Sequence, residues 1–267
     1  NLFCQSMITL VGHGYVGQCV AERLKELNLA FMWVRHTQRF TPSGPVINAA
    51  GYIGSPNVDA CEEHKEETLE GNVSWPLLLE KRSDFPIVHI SSGCIYNGYK
   101  EGGWTETDHP NFTASHYSLS KVLGQKALEP YLDRSYLLRM RMPFGLKEHS
   151  KNLLTKFANY SKLIDGLNSL SRVEDVARVA VHFARNLPTP GIYNLVNPGF
   201  ITAREIVEMM GLKKDWFTKE EFEAAIKAPR SFCTLNSDKL QAVFPLDDVR
   251  TALKEVISET LPVEAVA

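Results

Sequence analysis

Tyr117 and Lys121 stand four residues apart in "YSLSK", a spacing that puts a phenol and an ammonium on one face of a helix. A phenol ordinarily keeps its proton up to about pH 10, and a neighbouring ammonium favours the phenolate, so the pair can hand a proton to a reacting oxygen near neutrality. The stretch "ISSGCIYNG", residues 90–98, brings Ser92 and Cys94 to the end of an apolar run. A serine hydroxyl there could hold the same carbonyl oxygen. For Cys94 the residue type leaves two readings open: a small hydrophobe closing a strand, or a tunable thiol that gives and takes protons.

A second constellation concerns phosphate. "LVGHGYVGQ" supplies Gly12, Gly14 and Gly17 as G-x-G-x-x-G, with Tyr15 and Val16 between them, after an apolar run and before a helical period. That context suits a tight turn whose backbone approaches a pyrophosphate while the helix N–H groups point at its charge. An acid after the second strand would favour the free ribose of NAD. Here "WVRHTQR" offers Arg35, with His36 and Arg39, so NADP(H) is expected, with NADH tolerated, unless Arg35 is only solvated surface.

These groups need a scaffold that gathers strand ends. "MITLVG" (7–12), "AFMWV" (30–34), "PVINAAG" (45–51), "FPIVHISS" (85–92), "YLLRMRM" (136–142) and "GIYNLVN" (191–197) read as strands alternating with helical segments. This predicts an α/β, Rossmann-type doubly wound parallel sheet. Residues 117–129 read as a helix, as does the amphipathic stretch 152–160. Ser171 with Glu174, Thr202 with Glu205 and Thr218 with Glu221 have capping-box spacing. The expected division is a nucleotide-binding domain over 1–145, completed by 171–197, and a smaller substrate-binding lobe from 146–170 and 198–267. The tail "LPVEAVA" is expected to fray.

Composition excludes several classes. With 29 basic and 31 acidic residues and no basic run, the chain has no electrostatic footprint for nucleic acid. Its five cysteines (Cys4, Cys19, Cys61, Cys94, Cys233) are odd in number and lack CxxC spacing, so neither a disulfide framework nor a metal site is expected. His64, His89, His109 and His116 show no metal-ligand spacing and no acid pairing, and read as structural. Without a membrane-length apolar run or a signal-like start in "NLFCQSMITLVG", the expected location is cytoplasmic, with no membrane partner.

The nucleotide loop, "NAAG" (48–51), "ISSGCIY", "YSLSK" and "LRMRMP" (138–143) occur in the order and spacing of the extended short-chain dehydrogenase/reductase superfamily, which the first 145 residues resemble. The loop is one residue shorter than the G-x-x-G-x-x-G of many members. The resemblance implies Tyr117 as acid, Lys121 as its support and ribose contact, and Ser92 as the polariser of a ketone. It also implies a cofactor site lined by Asn48, Ala49, Ala50 and Pro143. A Ser followed two places later by a Cys resembles reductases that also epimerise, such as GDP-fucose synthase, where the Cys moves protons beside the ketone.

"NVDACEEHKEET" (57–68), "PNFTASHYSLSK" (110–121), "NLLTKFANYSKL" (152–163), "NPG" (197–199) and "APRSFCTLNSDKL" (228–240) extend the likeness over nearly the whole chain. They resemble the bifunctional UDP-4-keto-6-deoxyglucose 3,5-epimerase/4-reductases of UDP-L-rhamnose synthesis. That family implies Lys156 as a second acid/base beside Cys94, Asn152 and Arg230 as substrate contacts, a UDP-sugar substrate, and compatibility with a homodimer. On residue type alone Lys156 and Arg230 would be surface cations. Two alternatives stay open: a dTDP-4-dehydrorhamnose reductase without epimerase activity, and a non-catalytic subunit like the reductase-like regulatory subunit of methionine adenosyltransferase.

Overall fold

A computed structural model of the chain describes residues 7–260. Cys4 and the "LPVEAVA" tail lie outside the described residues. The chain opens with β1 (Ile8–Val11), α1 (Tyr15–Glu26), β2 (Phe31–Val34) and β3 (Val46–Asn48). Helices α2 (Ala60–Glu63), α3 (Lys65–Leu69) and α4 (Trp75–Arg82) follow, with a π-helical turn at Glu70–Ser74 joining the last two. Then come β4 (Ile87–Ser92), α5 (His116–Leu128) and β5 (Tyr136–Met140). A run of short elements contains β6 (Pro143–Phe144), α6 (Leu153–Asn159), β7 (Lys162–Leu163), β8 (Leu167–Asn168) and β9 (Ser171–Arg172). Next, α7 (Val173–Asn186) and β10 (Gly191–Leu195) return to the main sheet. The remainder holds β11 (Ile201–Thr202), α8 (Ala203–Met209), β12 (Asp215–Trp216), α9 (Lys219–Ala225), α10 (Asp238–Gln241) and α11 (Val249–Thr260).

The six long strands form one parallel sheet in the order β10-β5-β4-β3-β1-β2, the doubly wound architecture expected. Its central strands are apolar almost throughout because both faces are covered. On one face α1 and α7 pack together and bury Val20, Leu24, Val176, Ala180 and Phe183 against the sheet. On the other, Leu79 and Trp75 of α4 meet Val11, Val46 and Ile87. The chain order reverses between β1 and β3, which is where such sheets open a crevice for a ligand at their carboxyl ends.

A second apolar cluster joins Leu153, Leu154 and Phe157 of α6 to Ile206 and Val207 of α8 and to Leu253 and Val256 of α11. It draws on the segments 146–170 and 198–267. Part of the second segment behaves otherwise: Leu240, with Val243, Phe244 and Leu246, packs on the main core, and Cys233 and Leu235 pack beside Ile95 and Tyr96 of the loop after β4. The C-terminal segment therefore straps back over the large sheet rather than standing wholly in a lobe. No helix among the described residues is long and apolar enough to cross a membrane.

The three capping-box spacings have different outcomes. Thr218 and Glu221 form the reciprocal pair at the start of α9. Thr202 accepts from the Glu205 amide, but the Glu205 carboxylate is drawn to Arg250. Ser171 caps nothing: its hydroxyl accepts from the Arg141 amide and donates to the Leu195 carbonyl, while Glu174 accepts from the Leu146 amide. Local spacing there was outweighed by tertiary acceptors.

Helix α5 approaches the π-turn so closely that a Cβ added to Gly124 would lie 2.2 Å from the Asn72 carbonyl oxygen. Tyr117 and Lys121 ride on this helix, so the contact sets their depth. Replacing Gly124 by alanine should destabilise the protein by about 1–3 kcal/mol through overpacking, read as a lower denaturant midpoint at an unchanged m value. An unaltered midpoint would mean that α5 can step back freely.

Candidate active site

The candidate site forms where β1, β4 and β5 end. Ser92 is the last residue of β4, and its Oγ accepts a hydrogen bond from the Cys94 amide at 3.1 Å. Tyr117 lies in the first turn of α5, whose start is held by two acceptors: Ser115 Oγ takes the Ser118 amide, and Glu62 Oε1 takes the His116 amide at 2.7 Å. The next turn is tied down by Ser120, which donates to the Tyr117 carbonyl and accepts from Asn72. These anchors place Tyr117 close enough to Ser92 for the serine to act on the ionisation of the phenol.

Burial holds the phenol above its ordinary pKa, with the Cys94 thiol adding to the rise, while Ser92 and the Arg141 guanidinium oppose it. Tyr117 is thereby kept protonated, as a donor. Lys121 lies with its Nζ 5.6 Å from the centre of the Tyr117 ring, and burial pushes its ammonium down to about 8 against opposing influences from Cys94 and Cys61. The close approach of this ammonium is permitted by Gly51 of "NAAG", on which a Cβ would lie 3.3 Å from Nζ.

The sequence pattern did not single out Arg141, which follows β5 and is almost completely buried. Its guanidinium donates to Cys94 Sγ at 2.8 Å, to Asn168 Oδ1 at 2.6 Å and to the Ser231 carbonyl. The residue was visible in "LRMRMP", but nothing local distinguishes it from Arg139 two places earlier.

Lys156, on α6, belongs to a cationic group rather than to this hydrogen-bonded set. Burial first, then Lys151 and Arg230, push its ammonium down to about 8. Lys151 donates to the carbonyls of Gly54 and Pro56. Arg230 is paired with Asp59 at 2.8 Å, and Asp59 also accepts the amides of Ala228 and Lys227. Burial works upward on the Asp59 carboxyl, yet these donors bring it below its ordinary value. The motifs "NVDACEEHK" and "APRS", 171 residues apart at Asp59 and Arg230, thus meet as a clasp.

Asn152 is engaged within the fold itself. Its oxygen caps α6 by accepting the Leu154 amide, and its nitrogen donates to the carbonyls of Gly145 and Lys147, which commits both donors of a buried side chain to the fold. His89 differs from expectation, since it has an acid partner: its Nε2 lies 3.0 Å from Glu80, which Arg134 holds from the other side, while Nδ1 lies 3.1 Å from Asn48. This buried chain stiffens β3 against β4 and leaves the structural reading of His89 in place.

The nucleotide loop fits a pyrophosphate. Helix α1, N-capped by Gly14, has no side-chain cap and no acidic residue in its first turn, so among the described residues no side chain caps its first amide donors. A Cβ on Gly14 would meet nothing within 4 Å, which leaves room above the turn, whereas one on Gly17 would lie 2.2 Å from the Gly12 carbonyl. Trp33 donates from its indole to that same carbonyl at 2.8 Å and stacks on His13, a brace absent from the motif. Tyr15 is buried and stacks on His149, and Val16 is partly buried against the core. Arg35 is exposed directly after β2, and no Asp or Glu occurs from there to Asn48. Asn48 Oδ1 accepts the Ala50 amide, Ala49 donates its own to Val11, and Pro143 opens β6 beside Ser171.

Comparison with known proteins agrees with this geometry. The family model described as the RmlD substrate binding domain matches residues 28–261. A bifunctional dTDP-4-dehydrorhamnose 3,5-epimerase/dTDP-4-dehydrorhamnose reductase of Arabidopsis thaliana is 36% identical over 231 residues, which are 80% of this chain and 76% of that protein. A trifunctional UDP-glucose 4,6-dehydratase/UDP-4-keto-6-deoxy-D-glucose 3,5-epimerase/UDP-4-keto-L-rhamnose-reductase of the same plant is also 36% identical, over 75% of this chain, which spans only 32% of that longer protein. Among solved structures, the L780 UDP-rhamnose synthase from Acanthamoeba polyphaga mimivirus superposes with a TM-score of 0.87 at 27% identity, covering 95% of this chain and 99% of that one. The chain belongs to the RmlD substrate binding domain family, the RmlD-like sugar-nucleotide 4-reductases within the extended short-chain dehydrogenase/reductases.

Proposed function

We propose that the chain is a bifunctional enzyme that inverts C3 and C5 of UDP-4-keto-6-deoxy-D-glucose and then reduces C4 with NADPH to give UDP-L-rhamnose. The observation that carries this reading is that Ser92 and Cys94 both lie close enough to Tyr117 to act on its phenol, with the Cys94 amide bonded to Ser92. The activities stated for the Arabidopsis and mimiviral relatives support the choice of sugar and the pairing of epimerisation with reduction.

A ketone at C4 acidifies the hydrogens on C3 and C5. Ser92 and Tyr117 would hold its oxygen where enolate charge develops, so removal of either proton becomes accessible. Cys94 works on one face of the ring and Lys156 on the other. A lysine brought down to about 8 passes readily between ammonium and amine near neutrality, which suits a group that must both give and take.

When bound, the nicotinamide of NADPH supplies the hydride that reaches C4. Tyr117 then protonates the oxygen, and Lys121 supports the phenol and holds the ribose. Gly12, Gly14, Tyr15, Val16 and Gly17 cradle the pyrophosphate, while Asn48, Ala49, Ala50 and Pro143 line the rest of the cofactor and Arg35 meets the 2′-phosphate. Arg230 turns toward the substrate diphosphate, since a guanidinium fork suits phosphate.

Incubation with UDP-4-keto-6-deoxyglucose and NADPH, followed by NMR of the sugar, tests the whole reading; recovery of a reduced but uninverted sugar would leave a simple reductase. Tyr117→Phe should cut NADPH oxidation by about 100- to 10,000-fold while cofactor affinity is retained, and full turnover would remove Tyr117 as the acid. Arg35→Asp should move the kcat/KM ratio toward NADH by about 10- to 100-fold; an unmoved ratio would mean that Arg35 does not select the cofactor. Cys94→Ser should abolish solvent deuterium incorporation at C3 or C5 with oxidised cofactor bound, yet still reduce substrate that is already epimerised. Exchange persisting at both carbons in a folded variant would return Cys94 to a packing role.

A further inference from the structure

Two buried arginines lie two residues apart at the end of β5, and their surroundings differ. Arg139 donates to Gln125, the Tyr96 hydroxyl and Asn194, and it feels the carboxylates of Glu106 and Asp108 nearby. Arg141 has no such backing. Its acceptors are a sulfur, an amide oxygen and a backbone carbonyl, and its Nε is buried without a partner. The acids that bear on it are the thiols of Cys233 and Cys94 and the phenol of Tyr117.

A buried guanidinium lacking a carboxylate is costly, and a fold tolerates one where anionic charge arrives from elsewhere. The titratable side chain within hydrogen-bond distance of Arg141 is Cys94. Its fork is also immobilised, because Nη2 is held by Asn168 and Ser231 and the backbone amide by Ser171. A donor fixed in this way is aimed at a point in space rather than at whatever swings past it.

We propose, resting on the function above, that Arg141 is the positioning residue of Cys94: it fixes the sulfur beside the ketone-activated C–H bonds and stabilises the negative charge that the sulfur carries between proton transfers. In the transfer itself a C–H bond of the sugar breaks and an S–H bond forms. The C–H electron pair moves into the enolate whose charge collects on the C4 oxygen, so the negative charge leaves the sulfur. The thiol later returns its proton to water, and the charge on sulfur reappears beside the guanidinium. Because the reduction step does not pass charge through the sulfur, it depends on Arg141 far less.

Two variants separate positioning from packing. Arg141→Lys keeps a cation but loses the fork. Asn168→Asp leaves Arg141 intact and nearly preserves shape, while giving the guanidinium a carboxylate that competes with the sulfur. In each, the rate of Cys94 alkylation by iodoacetamide is measured on the free protein by peptide mass mapping, alongside deuterium exchange into UDP-4-keto-6-deoxyglucose and NADPH oxidation on epimerised ketone. The expected result is Cys94 alkylation slowed by about 10-fold, with exchange reduced on the order of 100-fold and reduction by a much smaller factor. An unchanged alkylation rate in both variants overturns the proposal, as does loss of exchange and reduction in equal measure. Wild-type protein that shows no exchange at all would sink the epimerase function and this role with it, and that outcome is distinguishable because the alkylation rate is read without substrate.

Discussion

The last rung of the β4–β5 ladder, in which the Gly93 amide donates to the Met140 carbonyl at 2.9 Å, sets the geometry of the whole site. It follows from a parallel register that pairs Ser92 with Met140. A slip of one residue would reverse every side chain of β4 between the two faces of the sheet. In the observed register Ser92 faces α5, the chain turns at Gly93, and Cys94 comes to rest against Arg141. A Cβ on Gly93 would lie 2.5 Å from the Leu235 side chain, so the same turn also seats the C-terminal strap over the site.

Around that rung the protein gathers more positive than negative charge. Lys121 and Lys156 are both brought down to about 8, chiefly by burial, and Arg141 is buried without a carboxylate. Grouping cations away from water works against folding unless partners are supplied. The site supplies few: Asp59 answers Arg230, and neutral carbonyls answer Lys151 and Arg141. Such a pocket is matched to ligands that bring several negative charges, as a dinucleotide and a nucleotide sugar do. The Asp59 clasp ties the strap to the start of α2 through Arg230.

Much of this organisation could be read in advance. The six sheet strands, the helix bearing Tyr117 and Lys121, and the glycine loop at the start of α1 all fell where hydrophobic period and turn chemistry put them, within a few residues. Those features are local: a parallel strand buried on both faces must be apolar along its length, and a phosphate loop must be short and small. Errors arose where a residue had competing partners of equal chemistry. Ser171 looked like a helix cap and instead joins the Arg141 amide to the Leu195 carbonyl. Which acceptor a hydroxyl or amide finds depends on what the fold brings near it.

The sequence by itself determined the parallel α/β class, the residue types of the Ser92, Tyr117 and Lys121 set, and the presence of Cys94 two places beyond the serine, because spacing along a strand or helix is enough to specify these. Tertiary structure alone decided that Arg141 rather than Arg139 meets the thiol, that Asp59 clasps Arg230 across 171 residues, that Gly124 lets α5 sink onto the Asn72 carbonyl, and that residues 240–246 return to the large sheet. The physical reason is common to all four. Each is a contact between segments far apart in the chain, and its partner is selected by shape, burial and charge in the folded molecule, none of which leaves a period or a motif in the local sequence.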